Sequence, residues 1–434
     1  MWDAEEGSGA EVSVKRAFVV LMIAAACGPV TPAPDASIDD AGVADAGPVD
    51  AGFDAGLQIL ERRDAGPLVT DTGLPWSWAA VQAVLSLPPA GGGLRARWVE
   101  VYPYGVDRAW SGGVLLFDGG VVAIPFNEPS VLVIHPSDDT FVRWPIDGGA
   151  VAEGWEGGVL LPDGRVIAFP RNAARFLLID PAAGTATPFG DDLSDASDGG
   201  LGKFRGGVLG LNGLVYAAPS QAAFVARLDP STGRVTRLPI PRPFVRGSTQ
   251  GAVLFPTGDI VMFPSADTPG LLVIPSRDGG VDQVWLLPRP KVTGAPAFTG
   301  GGLITGVETA MAPPQQNASQ LAYEAGLLVW APEVAGLAPQ SANTYLFGAW
   351  STDGRRYFPP YGPEAALRVT GMSGELVSLD AGVSLFRGVL GAVGLPDGRV
   401  IAIPHARSAW LELTPDGRRT VSMEAMTSPF LNKL

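Results

Sequence analysis

The sequence predicts an all-β chain folded as a β-propeller, and three recurring features carry that reading. Glycines of short turns at Gly119, Gly164, Gly213, Gly258, Gly306, Gly354 and Gly398 lie 45, 49, 45, 48, 48 and 44 residues apart. A period near 45 residues is the length of one four-stranded blade. Six or seven residues after each glycine a proline closes an apolar run: Pro125, Pro170, Pro219, Pro264, Pro313, Pro360 and Pro404. The runs themselves are short and end in Gly or Pro, which suits buried strands and not helices.

Repeat two gives the elements in order. Gly157 to Leu161 is a strand, Pro162-Asp163-Gly164 a turn, and Arg165 to Pro170 a second strand. Asp-Gly between apolar runs predicts a tight hairpin of type I′, with positive φ at both central residues. Phe176 to Ile179, the turn Asp180-Pro181-Ala182-Ala183-Gly184 and Thr185 to Phe189 complete four strands. Repeat three copies this through Gly206-Gly207, Asn212-Gly213 and Asp229-Pro230. First strands are continuously apolar (Val114-Leu115-Leu116). Fourth strands alternate (Thr140-Phe141-Val142-Arg143-Trp144), as expected when the first lines an axis and the last faces water.

Repeats five (298–337) and six (346–379) are degenerate, so seven blades are expected, with six or eight as alternatives. Ring closure falls to the strand-like segment Arg95 to Pro103 or to Arg419 to Met423, since an open sheet edge is a liability. A divergent eighth blade within 69–109 is the other use of the first segment. The Gly-Gly starts and Asp-Pro-x-x-Gly hairpins resemble kelch and related bacterial repeats over residues 95–425. The spacing departs from kelch, because a whole hairpin separates the Gly pair from Asp180-Pro181, so no kelch-type activity is implied.

The N-terminal region reads as an address and a tether. Lys15-Arg16, ten apolar or small residues from Ala17 to Ala26, and then Cys27 form a stretch too short to span a bilayer. It resembles a bacterial lipoprotein signal whose lipobox is Ala24-Ala25-Ala26-Cys27. The resemblance implies cleavage after residue 26 and lipid on Cys27; an ordinary signal peptide is the alternative. Cys27 is the sole cysteine, so no disulfide competes for it. Acids at Asp3, Glu5, Glu6 and Glu11 do not suit a signal, and initiation near Val12 or Val14 is expected instead. Residues 27–66 repeat Asp-Ala-Gly and are expected to form a solvated tether ahead of a propeller domain at 67–434. Such tracts resemble those on lipoproteins of large-genome Gram-negative bacteria. Gly28 after the cysteine resembles the outer-membrane sorting pattern.

Residues 1–66 carry 12 acids and 4 bases, and the remaining 368 residues carry 32 and 26. The domain is thus only mildly acidic, and no basic field exists to neutralise phosphates, which disfavours nucleic acid as a partner. The partners expected are a membrane, through Cys27, and an unknown glycan, peptide or protein bound by a monomeric domain.

Loops that follow the repeat prolines vary, and variable loops on a fixed scaffold are where sites are built. Phe126, Asn127, Arg171, Asn172, Gln221, Tyr361 and His405 are therefore the candidate ligand-binding residues. The same positions equally suit unconstrained, solvated loops. The chain has two histidines. His135 stands where other repeats have a turn Asp, which leaves His405 as the functional candidate. No catalytic residue is assigned: zinc-hydrolase and Cys–His chemistry lack parts, and no nucleophile elbow or phosphate loop occurs in context. Asp191, Asp192, Asp195 and Asp198 are a weak calcium candidate without EF-hand order; no other cofactor is expected. The leading expectation is an envelope-anchored, non-enzymatic binding module. The alternative is a polysaccharide-acting lyase or hydrolase, for which Arg171, Tyr361, Glu364 and His405 would have to converge at the propeller mouth.

Overall fold

The computed structural model describes residues 74–432, apart from 102–106, 241–248, 265–269, 275–283, 289–302, 305–308, 313–318, 325–326, 332–346, 362–364, 372 and 380–387. The signal, tether and Cys27 lie outside the described residues, as does Glu364. The described strands form seven four-stranded antiparallel sheets. Six are sequential meanders, spanning 110–145, 155–189, 204–239, 249–288, 303–331 and 349–378. The seventh joins the strands of 389–415 to the N-terminal strand Leu94–Glu100. We number these blades one to seven. First strands pack on first strands of neighbouring blades, with blade one against both blade two and blade seven. Those of blades one, two and seven are buried throughout, and that of blade three is buried except at Arg205, whereas Thr140–Pro145, a fourth strand, mixes exposed and half-buried residues. The fold is a β-propeller.

Closure uses the first of the two expected segments. Leu94 pairs with Pro415 and each residue in turn down to Glu100 with Ala409. Arg97 strengthens the seam: it donates to Glu412 at 2.9 Å within blade seven and to both Asp139 oxygens, at 2.7 and 2.8 Å, in blade one. Arg419 to Met423 is not a strand; Met423 opens a helix instead. Nor do residues 69–109 hold an eighth blade, because their described part is one helix and the closing strand.

The Gly pairs have a double structural role. In blades one, two, three, four and seven the first strand bulges, so that two residues oppose one on the second strand. The first glycine of the pair takes the left-handed conformation that the bulge requires, as at Gly112 (φ 86°) and Gly157 (φ 73°). The second is a notch for a neighbour's side chain. A Cβ on Gly113 would lie 2.5 Å from Ile403 of blade seven, and one on Gly158 2.9 Å from Ile124 of blade one. Gly207 receives Phe169 in the same way. Ile124, Phe169 and Ile403 each precede a repeat proline, so knob and notch recur at the junctions of blades seven and one, one and two, and two and three. In blade four the notch residue is Ala252, and the residue before the preceding blade's proline is only Ala218.

The hairpin turns differ from expectation. Gly164 N donates to Leu161 O and Leu161 N to Arg165 O, while Gly164 alone has positive φ. This is a type I turn closed by a left-handed glycine, not type I′. Asp163 accepts the Arg165 N–H and so stabilises the turn from its side chain.

Both ends of the described chain fold onto this hairpin-turn face. Helix α1 (Trp78–Leu85) is capped by Ser77, and α2 (Met423–Thr427) by Ser422. Trp76 Nε1 donates to Thr427 Oγ1, Ser77 N to Glu424 Oε1, and Trp78 meets Phe430 edge-on. Asn432 pairs through its amide with both backbone groups of Leu115, at 2.7 Å each, on the first strand of blade one. Apolar contacts extend from Val81 and Phe430 to blades three and four and from Leu431 to blade six. The helices therefore cap the turn-side end of the propeller.

Candidate functional site

The opposite face carries the loops between second and third strands, and a backbone relay ties them together. Ala109 N donates to His405 O, Phe126 N to Ala109 O, and Gly154 N to Phe126 O. Arg171 N then donates to Gly154 O, Lys203 N to Arg171 O, and Ser220 N to Lys203 O, all at 2.7–2.9 Å. Residues directly after the repeat prolines thus alternate with residues that open the next blade. Variable side chains stand on a fixed main chain.

Side chains converge on this relay. The Arg108 and Arg171 guanidinium groups lie over the Phe126 ring at 5.8 and 5.4 Å. His405 meets the same ring edge-on at 5.6 Å, and Tyr361 lies 6.0 Å from His405. Phe126, Arg171, Tyr361 and His405, far apart in sequence, therefore form one cluster. Phe126 and His405 are buried, so each acts from beneath the surface. Asn127 and Asn172 serve the scaffold. Their Oδ1 atoms accept the N–H of Glu153 and Gly202, and their Nδ2 atoms donate to Asp107 O and Ala152 O. Glu153 and Gly202 are both left-handed (φ 50° and 61°), as is Arg108 (φ 55°). Holding a non-glycine residue there costs on the order of 1–3 kcal/mol, a kind of strain that clusters at functional sites. Gln221 is exposed and lies beside Gly202.

A chain of charges runs under the cluster. Arg108 donates to Glu153 at 2.7 Å, Arg171 to Glu153 at 3.1 Å and to Glu156 at 2.6 Å, and Arg205 to Glu156 at 3.2 Å. Burial alone would push the Glu156 carboxyl up, but Arg205 and Arg171 more than reverse this and hold it below the usual carboxylate range. Lys203 is fully buried and, among the described residues, donates to the carbonyls of Asn172 and Gly200, at 3.0 and 2.6 Å. Burial pushes its ammonium down to about 8. Burial likewise lowers His405, against the opposing pull of its bond to Trp110 O. That 2.6 Å bond from Nδ1 to a carbonyl places the ring proton on Nδ1 and leaves the lone pair on Nε2.

Glu156 and Arg205 were not among the sequence candidates. Each is the first residue of a bulge, directly before a Gly pair, and the equivalent positions are Ser111, Gln250 and Leu390. A bulge re-aims the side chain it carries. The available signal was a polar residue interrupting an otherwise apolar strand. Ser111 is buried, and its hydroxyl has no partner among the described residues.

The calcium candidates do not assemble. Asp191 accepts Val235 N, Asp192 caps Ser194, Asp195 pairs with Arg237, and Asp198 opens a 3₁₀ turn. No group of three metal-ligating side chains occurs among the described residues. His135 ends a strand at a turn, where its carbonyl accepts Asp138 N.

No protein-family model matches the chain, and no curated protein matches it in sequence. Solved structures do match in shape. The chain is similar to a streptogramin B lyase at 13% identity and TM-score 0.59, covering 74% of this chain and 98% of that one. A catalytically inactive virginiamycin B lyase from Staphylococcus aureus, solved with quinupristin, matches at 12% identity and TM-score 0.57 over 74% and 99%. The β-propeller domain of Cps50 (Swd1) from Myceliophteria thermophila matches at 11% and 0.52 over 73% and 98%. At such identities the likeness establishes the fold alone.

Proposed function

We propose that this propeller is a binding module for a glycan, peptide or protein, displayed from the bacterial envelope by a lipid on Cys27. The observation that carries the binding reading is the relay-mounted cluster of Arg171, Phe126, His405 and Tyr361 at one end of the propeller. The described chain begins at the other end, where Trp76 stacks on Phe117 beside a hairpin turn. Lipid rather than charge would hold such a protein at its membrane, and more than one acyl chain is needed for stable anchoring.

Two measurements test the reading. A Cys27→Ser variant is expected to lose palmitate labelling and leave the membrane fraction; unchanged partitioning defeats the anchor. A glycan array and pulldown with the mature protein is expected to return ligands whose retention falls at least tenfold in Tyr361→Ala. Blank results on both screens defeat the binding module.

One observation favours a second reading, an enzyme acting on polysaccharide as a lyase or hydrolase. Burial favours the neutral form of His405, and its Nδ1 bond to Trp110 O leaves Nε2 as a proton acceptor. Two of the structural neighbours are named as lyases. New reducing or unsaturated ends released from a polysaccharide by the protein, and not by His405→Ala, would establish this reading over simple binding.

A further inference from the structure

We propose that the ligand presents a carboxylate and that the site is built for a uronic-acid residue of an acidic glycan. This rests on the binding reading above. The charge chain contains three guanidinium groups and two carboxylates, so one cation is uncompensated within it. Arg205 ends the chain. It engages Glu156 only through Nε, its two terminal nitrogens have no partner among the described residues, and its side chain is 31% exposed. Lys203, two residues earlier, adds a buried ammonium with carbonyl partners and no ion pair among the described residues. A surplus of positive charge in a partly desolvated site favours an anion, and a guanidinium edge with two free N–H groups matches a carboxylate in bidentate geometry.

The rest of the site argues for a sugar acid over an acidic peptide. His405 Nε2 and the carboxylates of Glu153 and Glu156 are acceptors, which suit hydroxyl protons. Tyr361 adds an aromatic ring 6.0 Å from that of His405. A uronic acid carries hydroxyls, an apolar ring face and a carboxylate within one residue. Acidic peptide side chains have the carboxylate without the hydroxyls.

The test is calorimetric titration of the mature protein with trisaccharides of galacturonate, mannuronate and glucuronate, each beside its methyl ester, and with triglutamate as the peptide probe. At least one acid is expected to bind tenfold or more tightly than its ester and than triglutamate. Arg205→Gln is expected to remove that tenfold preference, and Arg205→Lys to restore part of it. Equal affinity for acid and ester, or triglutamate binding as tightly as the sugars, overturns the proposal. Binding of neutral glycans without uronates overturns it while sparing the binding module, and binding of none overturns both. If Arg205→Gln fails to fold, the acid-to-ester comparison on the unaltered protein still decides.

Discussion

Replacing Gly113 by Ala is expected to destabilise the protein by about 1–3 kcal/mol, the usual cost of overpacking a filled interior. The added methyl would meet Ile403 at 2.5 Å and Val393 at 3.0 Å, both on blade seven. Ile403→Ala alone is expected to cost about 2–5 kcal/mol through the cavity it leaves. The double variant recreates the small-against-small pairing of Ala218 and Ala252, so its loss should fall short of the sum by at least about 1 kcal/mol. Urea unfolding of the four proteins measures this cycle. Strict additivity would show that Gly113 and Ile403 do not form a knob and notch. Because this contact lies at the junction of the first and last blades, the single variants test ring closure as well as packing.

Arg171→Ala is expected to cost about 3–5 kcal/mol, the usual penalty for removing one partner from a buried ion pair. Glu156, only 5% exposed, would keep Arg205 alone. The sign of the pH response follows from the same geometry. In the native protein the Glu156 carboxyl is held low, so its stabilising contribution is present above the unfolded value near 4.3 and is lost as pH falls through the folded value. Without Arg171 burial gains on the remaining attraction, the folded value rises, and acid unfolding should begin at higher pH. Melting temperatures measured from pH 7 down to pH 3 check this. Parallel curves for the two proteins would contradict the proposed role of Arg171. His405 acts in the same direction: its depressed value means that protonation below about pH 6.5 favours the unfolded chain.

What the sequence revealed depended on repetition. Gly119, Pro125 and their counterparts recur at a readable interval, so strands, turns and blade order could be placed without coordinates. The closing strand 94–100 was legible for the same reason, as a fourth strand without a blade. The capping helices occur once, and nothing in the repeat predicts Trp78–Leu85 or Met423–Thr427. Their apolar residues at Trp78, Val81 and Val84 read equally as part of a degenerate blade. Asp163-Gly164 fits two turn types that differ in the φ of the aspartate and in the length of the loop, and the dipeptide by itself does not separate them.

The site was half legible. Post-proline positions pointed to Arg171, Tyr361 and His405, which the fold brings together. They also pointed to Asn127 and Asn172, whose amides bind backbone and not solvent-facing partners. Sequence gives an amide's chemistry but not which of two neighbours it faces. Glu156 and Arg205 escaped notice because a bulge reverses the side-chain alternation on which strand reading relies.

The meeting of both ends of the described chain on one face has a consequence for folding. Trp76 bonds to Thr427 across 351 residues, and Leu115 to Asn432 across 317. These bonds cannot form before residues 427–432 have been made, nor the closing pair of strands before residues 409–415. Contacts of such long sequence separation slow folding and keep unpaired edges exposed in the interim.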